Sequence, residues 1–162
     1  MQNGQRDSNY FMQLTRAADY AVRVMIHLAG LPPGARVSRS ELSAAAECPE
    51  QFLCKVLQNL TRAGLVVSHR GNTGGFELEE LHRTASVLEV VEAVEGPIRL
   101  NVCLSGGHAC SRQPWCPAHC VWADAQTALL GVLREANITK LAAEAAMNRA
   151  PAVVVIGEPR WN

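Results

Sequence analysis

A chain of 162 residues has room for one domain with a sizeable core and is too short for a large multidomain enzyme. Fifteen basic and fifteen acidic residues give a formal net charge of zero, which excludes a global basic field as a source of affinity for nucleic acid. The sequence has no signal-peptide core and no apolar run of about 18 residues, so we predict a cytoplasmic protein without a membrane partner. In a reducing compartment, clustered cysteines favour metal binding over disulfides.

The first elements are predicted to be helical. Residues 1–11 are polar and show no periodicity, which is typical of a disordered extension. Apolar residues then recur at helical spacing and predict a first helix that ends before Pro32. Ser38 and Glu41 form a capping-box pattern, which predicts the start of a short second helix.

A third helix and a hairpin follow. Pro49 suits the first position of a helix and Gly64 the residue just past its end, so the third helix is predicted between them. Residues 65–70 are mostly β-branched or polar, residues 71–75 form a glycine-rich turn, and residues 76–79 alternate apolar and acidic, which predicts a β-hairpin. This order of elements predicts a winged helix-turn-helix, which presents its second short helix to the DNA major groove.

The outward face of the third helix carries side chains that suit DNA. Glutamines can hydrogen-bond base edges, lysines and arginines can pair with guanine or phosphate, and an arginine beside glycines can enter a narrow minor groove. Basic residues outnumber acidic ones by seven to four in residues 16–70, so the charge is locally favourable. The predicted DNA-binding residues are Ser38, Gln51, Lys55, Gln58, Arg62, His69, Arg70, Gly71, Asn72 and Thr73.

The second half of the chain contains three further predicted helices and a cysteine-rich loop. Ser86 and Glu89 repeat the capping-box pattern at the start of a fourth helix, which Gly96 and Pro97 end. Two more helices are predicted within residues 121–148, and the first of them is more apolar than one small core needs. Between the fourth helix and these two helices, in residues 97–120, glycines and prolines exclude regular structure. The cysteines and the histidine from Cys103 to Cys120 are spaced as C-x₆-C-x₅-C-x₂-H-C.

The spacing in the cysteine-rich loop leaves three interpretations open. Three thiolates and one other ligand could hold an iron–sulfur cluster, because cluster iron is soft. Three cysteines and His119 could hold zinc, although the gaps are long for a zinc knuckle. Metal-free thiols are the third possibility, and they would suit an interaction module or a small thiol oxidoreductase, although the chain lacks a C-x-x-C pair.

Several stretches of the sequence resemble the Rrf2 family of winged-helix transcription regulators. They are MQLTRAADYAVRVMIHLA, FLCKVLQNLTRAGLVVSHRGNTGGFELE, VLEVVEAVEG, and the cysteine loop with the helix after it, together about residues 12–145. The wing string SHRGNTGGF with a three-cysteine loop downstream is highly specific to this family. The resemblance implies a DNA-binding regulator, a repressor rather than an enzyme, whose affinity depends on an iron–sulfur cluster that senses nitric oxide, iron or redox state.

The resemblance also implies how the chain assembles. The helix from about Val121 to Asn137 is expected to pair with its mate in a homodimer, and two recognition helices would then read a pseudo-palindromic operator. The start of the recognition helix, residues 48–51, departs from the family pattern, so no operator sequence is implied. The predicted fold class is thus mainly α with a small β-hairpin wing and a long C-terminal dimerisation helix. The predicted divisions are an extension (1–11), a winged DNA-binding domain (12–96), a cluster loop (97–120), dimerisation helices (121–148) and a tail (149–162).

In the resemblance, Cys103, Cys110 and Cys116 align with the three cluster cysteines of the family, with a first gap that is one residue longer. The fourth ligand is either Asp19, supplied across the dimer, or His119, and Cys120 is an extra candidate outside both patterns. Two-iron and four-iron clusters are both compatible with this set. A carboxylate is a hard ligand, so Asp19 would favour a labile cluster and His119 a durable one.

Overall fold

The computed structural model describes residues 14–71, 74–105 and 110–149. The predicted N-terminal extension and the chain after residue 149 lie outside these ranges, as do Asn72 and Thr73. The fold is mostly helical with one antiparallel hairpin, as predicted, and short 3₁₀ turns at Glu80–His82, Val102–Leu104 and Gln113–Trp115. The main elements are α1 (Arg16–Ala29), α2 (Arg39–Ala46), α3 (Glu50–Arg62), β1 (Val66–His69), β2 (Gly75–Leu78), α4 (Val87–Glu95), α5 (Pro117–Glu135) and α6 (Ile138–Arg149).

Helix α1 lies at the centre of a single hydrophobic core. It contacts α2, α3, α4 and α6, and its own face of small and medium apolar side chains is buried against them. The Arg83 guanidinium donates hydrogen bonds to the Ala29 and Leu31 carbonyls, at 2.9 and 3.0 Å, and so satisfies groups at the end of α1. The largest fully buried side chains are Met25, Leu28, Leu42, Leu53, Leu57, Leu60, Ile138, Val24, Val56, Val66, Val90 and Val91.

Both predicted capping boxes are confirmed. At the start of α2, the Ser38 backbone N–H donates to the Glu41 carboxylate at 2.8 Å, and the Glu41 N–H donates to the Ser38 hydroxyl oxygen at 3.2 Å. At the start of α4, Ser86 and Glu89 make the same exchange at 2.7 and 3.2 Å. These bonds fix the first residue of α2, the helix before α3, and the first residue of α4, the helix after the hairpin.

The hairpin is fixed by its register and by a third segment. Val66 pairs with Leu78, and His69 pairs with Gly75, so the turn spans residues 70–74. Val37 adds a bridge to Phe76, with N–H to carbonyl distances of 2.9 and 2.8 Å, which ties the hairpin to the start of α2. A Cβ at Gly75 would lie 2.8 Å from the Val37 carbonyl oxygen, so this close approach requires glycine.

The structure corrects the boundary between the cysteine loop and the long helix. The sequence predicts a loop to residue 120 and a helix from Val121, but α5 already begins at Pro117. Proline suits the first turn of a helix because its missing N–H would have no partner there. His119 and Cys120 are therefore helical residues, and the loop before them also contains two 3₁₀ turns.

Helix α6 packs onto α1 of the same chain. Ile138 is fully buried and Ala142 is 6% exposed, and both belong to the main core. The connection between α5 and α6 is bonded to the start of α4, since the Val87 N–H donates to the Ala136 carbonyl at 2.8 Å and the Ile138 N–H donates to the Ala85 carbonyl at 3.0 Å. The proposal of a dimerisation helix therefore depends on α5 rather than on α6.

Candidate functional site

The outward face of α3 presents four polar side chains to solvent. Leu53, Val56, Leu57 and Leu60 are buried on the inner face of this helix. The exposed residues are Gln51, Lys55, Gln58 and Arg62. Among the described residues, Arg62 donates one hydrogen bond to Asn59 at 3.2 Å, whereas the two glutamines and Lys55 have no hydrogen bond or ion pair. These donors and acceptors are therefore available to a ligand such as a DNA base or phosphate.

The N-terminal side of α3 is joined to α2 by an arginine that the sequence analysis missed. The Arg39 guanidinium lies 3.4 Å from the Glu50 carboxylate and 3.5 Å from the Cys54 sulfur. Its position directly after the Ser38 cap is the signal that could have identified it. Ser38 is exposed, and its hydroxyl oxygen accepts the Glu41 N–H, which leaves the hydroxyl hydrogen available to an acceptor such as phosphate.

The hairpin forms the wing, and the described residues just after β1 are exposed. Arg70 and Gly71 are exposed, and Gly71 has a φ of 101°, a conformation that favours glycine. His69 instead points toward β2, where its Nε2 lies 2.7 Å from the Glu77 carboxylate. This contact lacks hydrogen-bond geometry and is an ion pair only when the imidazole is protonated. The structure thus supports Arg70 as the accessible cation of the wing and gives His69 a partner within the protein.

A cleft of about 420 Å³ separates α3 from the wing. Leu57 and Phe76 give its lining an apolar part, and Arg39 and Arg62 give it two basic side chains. The recognition helix and the wing are therefore parts of one surface with basic side chains along it, which suits a polyanion. The remaining lining residues are Cys54, Gln58, Thr61 and Ser68.

The four cysteines between residues 103 and 120 are not equivalent in the structure. Cys103, Cys110 and Cys116 are half-buried and line one cavity of about 230 Å³, together with His119. Cys120 is exposed and does not line it. The cavity is completed by Asn101, Val102, Gln113 and Trp122. Three of the predicted ligands and one of the two candidates for the fourth are therefore brought together within a single chain.

The other candidate for the fourth ligand has a partner of its own. Asp19 is exposed on α1, and its carboxylate lies 3.0 Å from the Arg23 guanidinium, one turn later. His119 differs, because its Nδ1 is buried and has no hydrogen-bond partner within the described ranges. A buried polar nitrogen without a partner is costly, so native proteins satisfy nearly all of them.

The donors in the cavity do not form a ready site for a single ion. In the part of the chain that the structure describes, no group of three or more His, Cys, Asp or Glu side chains is arranged to hold a metal ion. None of the six cysteines is in a disulfide. A multinuclear cluster distributes its ligands over more than one iron, so it needs less convergence than one zinc ion.

Helix α5 presents an apolar surface, much of which the other described residues leave exposed. None of its 19 residues is buried, although much of its sequence is apolar. Val121 is 61% exposed and Val132 is 68% exposed, with Trp122 between them at 42%. An exposed apolar surface of this length is typical of an interface.

Comparison with known proteins identifies the chain. The profile of the Rrf2 family, described as iron-dependent transcriptional regulators, matches residues 14–144. The chain belongs to the Rrf2 family. Two relatives from Mycobacterium tuberculosis, MT1325 of strain CDC 1551 / Oshkosh and Rv1287 of strain ATCC 25618 / H37Rv, are provisionally named as HTH-type transcriptional regulators. Each is 33% identical over 131 residues, which is 81% of this chain and 81% of the relative.

Solved structures share the fold of this Rrf2 protein. CymR of B. subtilis, described as a global cysteine regulator, has a TM-score of 0.65 at 24% identity and covers 83% of this chain and 98% of its own. IscR of T. potens has a TM-score of 0.66 at 21% identity and covers 89% of this chain and 96% of its own. At these identities the likeness shows the winged-helix fold alone.

Membership of the family confirms the predicted class of protein. The chain is a transcriptional regulator that binds DNA, and it is not an enzyme. Within the described ranges, no helix has the length and apolar content needed to cross a membrane. The family description speaks of iron dependence, whereas one structural neighbour is a cysteine regulator, so the ligand sensed by this Rrf2 protein has to be argued from its own residues.

Proposed function

We propose that this Rrf2 protein is a homodimeric repressor whose affinity for DNA is set by an iron–sulfur cluster held on Cys103, Cys110, Cys116 and His119. One observation carries this proposal: three thiols and His119 line the same cavity, and the buried Nδ1 of His119 has no hydrogen-bond partner among the described residues. Thiolate and imidazole are ligands that cluster iron accepts. A ligand on Nδ1 would also remove the cost of burying that atom unpaired.

The choice of His119 over Asp19 follows from their surroundings. His119 lines the cavity of its own chain, whereas Asp19 is exposed and pairs with Arg23 at 3.0 Å. An imidazole is a better ligand for soft iron than a carboxylate. We therefore expect the cluster to be lost more readily from a His119 variant than from an Asp19 variant.

The residues of the cavity connect ligand binding to the position of α5. An iron–sulfur cluster, when bound by these residues, would supply a redox-active group that is sensitive to oxidants and to nitric oxide. Cys116 is the residue immediately before α5, and His119 is in its first turn, while Cys103 lies in a 3₁₀ turn that contacts α5. The Leu100 N–H also donates to the Gln126 side chain at 3.1 Å. Ligation would thus hold the start of α5, through Cys116 and His119, against the part of the loop that contains Cys103 and Cys110.

The signal is then passed to DNA through the dimer. If α5 pairs with its mate, the orientation of α5 sets the distance between the two recognition helices. Release of the ligands changes that orientation and with it the affinity for an operator with fixed spacing. The two states differ in affinity for the operator only if the loaded and cluster-free dimers have different geometries. Measuring operator affinity with and without the cluster tests this directly.

The proposal is tested with protein purified without oxygen. We expect the wild type to be brown, with iron and sulfide in the assay, and Cys110→Ala to be colourless. His119→Ala should lose iron within minutes to hours under conditions in which Asp19→Asn retains it. Colourless wild-type protein without iron would refute the cluster, and equal DNA affinity with and without the cluster would refute its role as a sensor.

A second candidate is a metal-free or zinc-binding regulator of the same fold. The metal-free form is favoured over the zinc form, because no group of metal-binding side chains within the described residues is arranged for one ion. Such a protein would bind DNA without iron, and its affinity would respond to thiol oxidation or to zinc. The same iron, sulfide and zinc assay separates these cases.

A further inference from the structure

The recognition helix carries an aromatic residue that the predicted DNA-binding set leaves out. Phe52 is the third residue of α3, and its side chain is 62% exposed. Helices α1 to α4 are fully described, and Phe52 is the only large apolar side chain of these four helices that is exposed. The other large exposed apolar residues lie in the cysteine loop and α5, or near the ends and turns of the chain.

The position of Phe52 places it where base edges are read. In a helix-turn-helix, the N-terminal residues of the recognition helix contact the bases. Phe52 lies in the first turn of α3, next to Gln51 and one turn before Lys55. With about 100° of rotation per residue, its side chain projects about 60° from that of Lys55, at the border of the exposed face. It therefore belongs to the surface that enters the groove.

The major groove offers one apolar group to such a side chain. Each base pair presents hydrogen-bond donors and acceptors there, and thymine adds its C5 methyl group. A phenyl ring has no donor or acceptor, so it cannot read the polar pattern, and its free-energy gain comes from removing apolar surface from water. The neighbouring side chains, Gln51 and Lys55, supply the polar contacts that Phe52 lacks.

We infer that Phe52 is a specificity-determining residue that contacts the methyl group of a thymine in each half-site of the operator. This inference rests on the proposed function of α3 as the helix that reads DNA. It adds one base preference to a recognition helix whose start departs from the family pattern, and it predicts that the preference depends on a single methyl group.

The test begins with selection from a pool of random duplexes by the wild type and by Phe52→Ala. We expect both proteins to select a palindromic site. At one position of each half-site, the wild type should select thymine, whereas the variant should accept any base. That thymine is then replaced, in one half-site only, by deoxyuridine, which lacks the methyl group alone. The wild type should bind the uracil duplex about fourfold more weakly, the effect of one buried methyl-sized group, and the variant should bind both duplexes equally.

Two controls separate this role from others on the same surface. Lys55→Ala should weaken binding to all duplexes and lower the salt dependence, and it should retain the preference for thymine over uracil. Phe52→Leu keeps an apolar side chain, so it should retain part of that preference and carries the test if Phe52→Ala does not fold. Because Phe52 is exposed, we expect the unfolding midpoint of either variant to stay near that of the wild type.

The outcomes distinguish the inference from the proposed function. If Phe52→Ala selects the same sequence as the wild type, or if uracil weakens both proteins equally, Phe52 does not read a thymine methyl group. If the wild type selects no sequence at all, α3 does not read DNA and the inference fails with it. Binding that is weaker for Phe52→Ala by the same factor on every duplex would overturn the inference as well, since it indicates a contact without specificity.

Discussion

Glu89 shows how a single carboxylate fixes the start of a helix. Its carboxylate accepts hydrogen bonds from the Ser86 backbone N–H at 2.7 Å and from the Ser86 hydroxyl at 2.8 Å. These bonds favour the ionised form and lower the pKa of Glu89 below its ordinary value, with the backbone bond as the larger cause. The capping bond between Ser38 and Glu41 lowers the pKa of Glu41 in the same direction.

The lowered pKa of Glu89 predicts how stability depends on pH. A carboxyl group with a lower pKa in the folded state stabilises the protein above its unfolded pKa, and this contribution is lost as the pH falls through the folded pKa. We expect Glu89→Gln to weaken the decline in the free energy of unfolding as the pH falls below the ordinary glutamate pKa of 4.5. Urea unfolding over a pH series checks this, and an unchanged decline in Glu89→Gln would show that the capping bond does not contribute to it.

Gly74 is the residue that allows the tip of the wing to fold. A Cβ at this position would lie 2.5 Å from the His69 carbonyl oxygen and 2.8 Å from that of Gly71. We therefore expect Gly74→Ala to distort the wing and reduce DNA affinity at least tenfold, while circular dichroism shows the helices intact. Gly30→Ala is the matched control, because the nearest contact of its Cβ, the His27 carbonyl oxygen, would be at 3.4 Å. Unchanged affinity for Gly74→Ala would show that the shape of the wing is not needed for binding.

Helix α5 exposes large apolar side chains along its length and has no buried residue. Val132 is 68% exposed on α5, and Met147 is 67% exposed on α6. We expect Val132→Glu to place a charge in the proposed dimer interface and to shift the protein toward monomer in analytical ultracentrifugation. Met147→Glu has the same exposure and should leave the dimer intact. A dimer of unchanged strength in both variants would exclude this part of α5 from the interface.

Helix α6 belongs to the same hydrophobic core as the winged unit, which consists of α1 to α4 and the hairpin. Ile138 is fully buried, so Ile138→Ala would leave a cavity and lower the free energy of unfolding by about 2–5 kcal/mol. Lys140→Ala, at an exposed position in the same turn, should change it by less than about 0.5 kcal/mol. Chemical denaturation monitored by tryptophan fluorescence measures both. A small effect of Ile138→Ala would mean that α6 can detach while the rest stays folded.

Local sequence signals predicted the winged unit well, since its elements start and stop at residues with strong conformational preferences. Ser38 and Ser86 marked two helix starts, and glycines marked the hairpin turn. The start of α5 was predicted four residues too late, because Cys116, Pro117 and His119 look like a continuing loop until the helix after them is known. His119 lines the cysteine cavity, and Asp19 pairs with Arg23. Neither arrangement could be predicted, because the spacing of residues along the chain does not specify their neighbours in three dimensions.

The bonded connection between α5 and α6 restricts how α5 can move. Its far end is held at the start of α4 by the bonds of Ala136 and Ile138, and Asn137 adds a hydrogen bond to the Thr84 carbonyl at 2.8 Å. A helix of 19 residues is about 28 Å long, so a shift of about 1 Å at Cys116 turns α5 by about 2° around the held end. A dimer built on two such helices would respond to its signal by rotation. Operators with one base pair more or less between half-sites would then abolish the response without any change in the bases contacted.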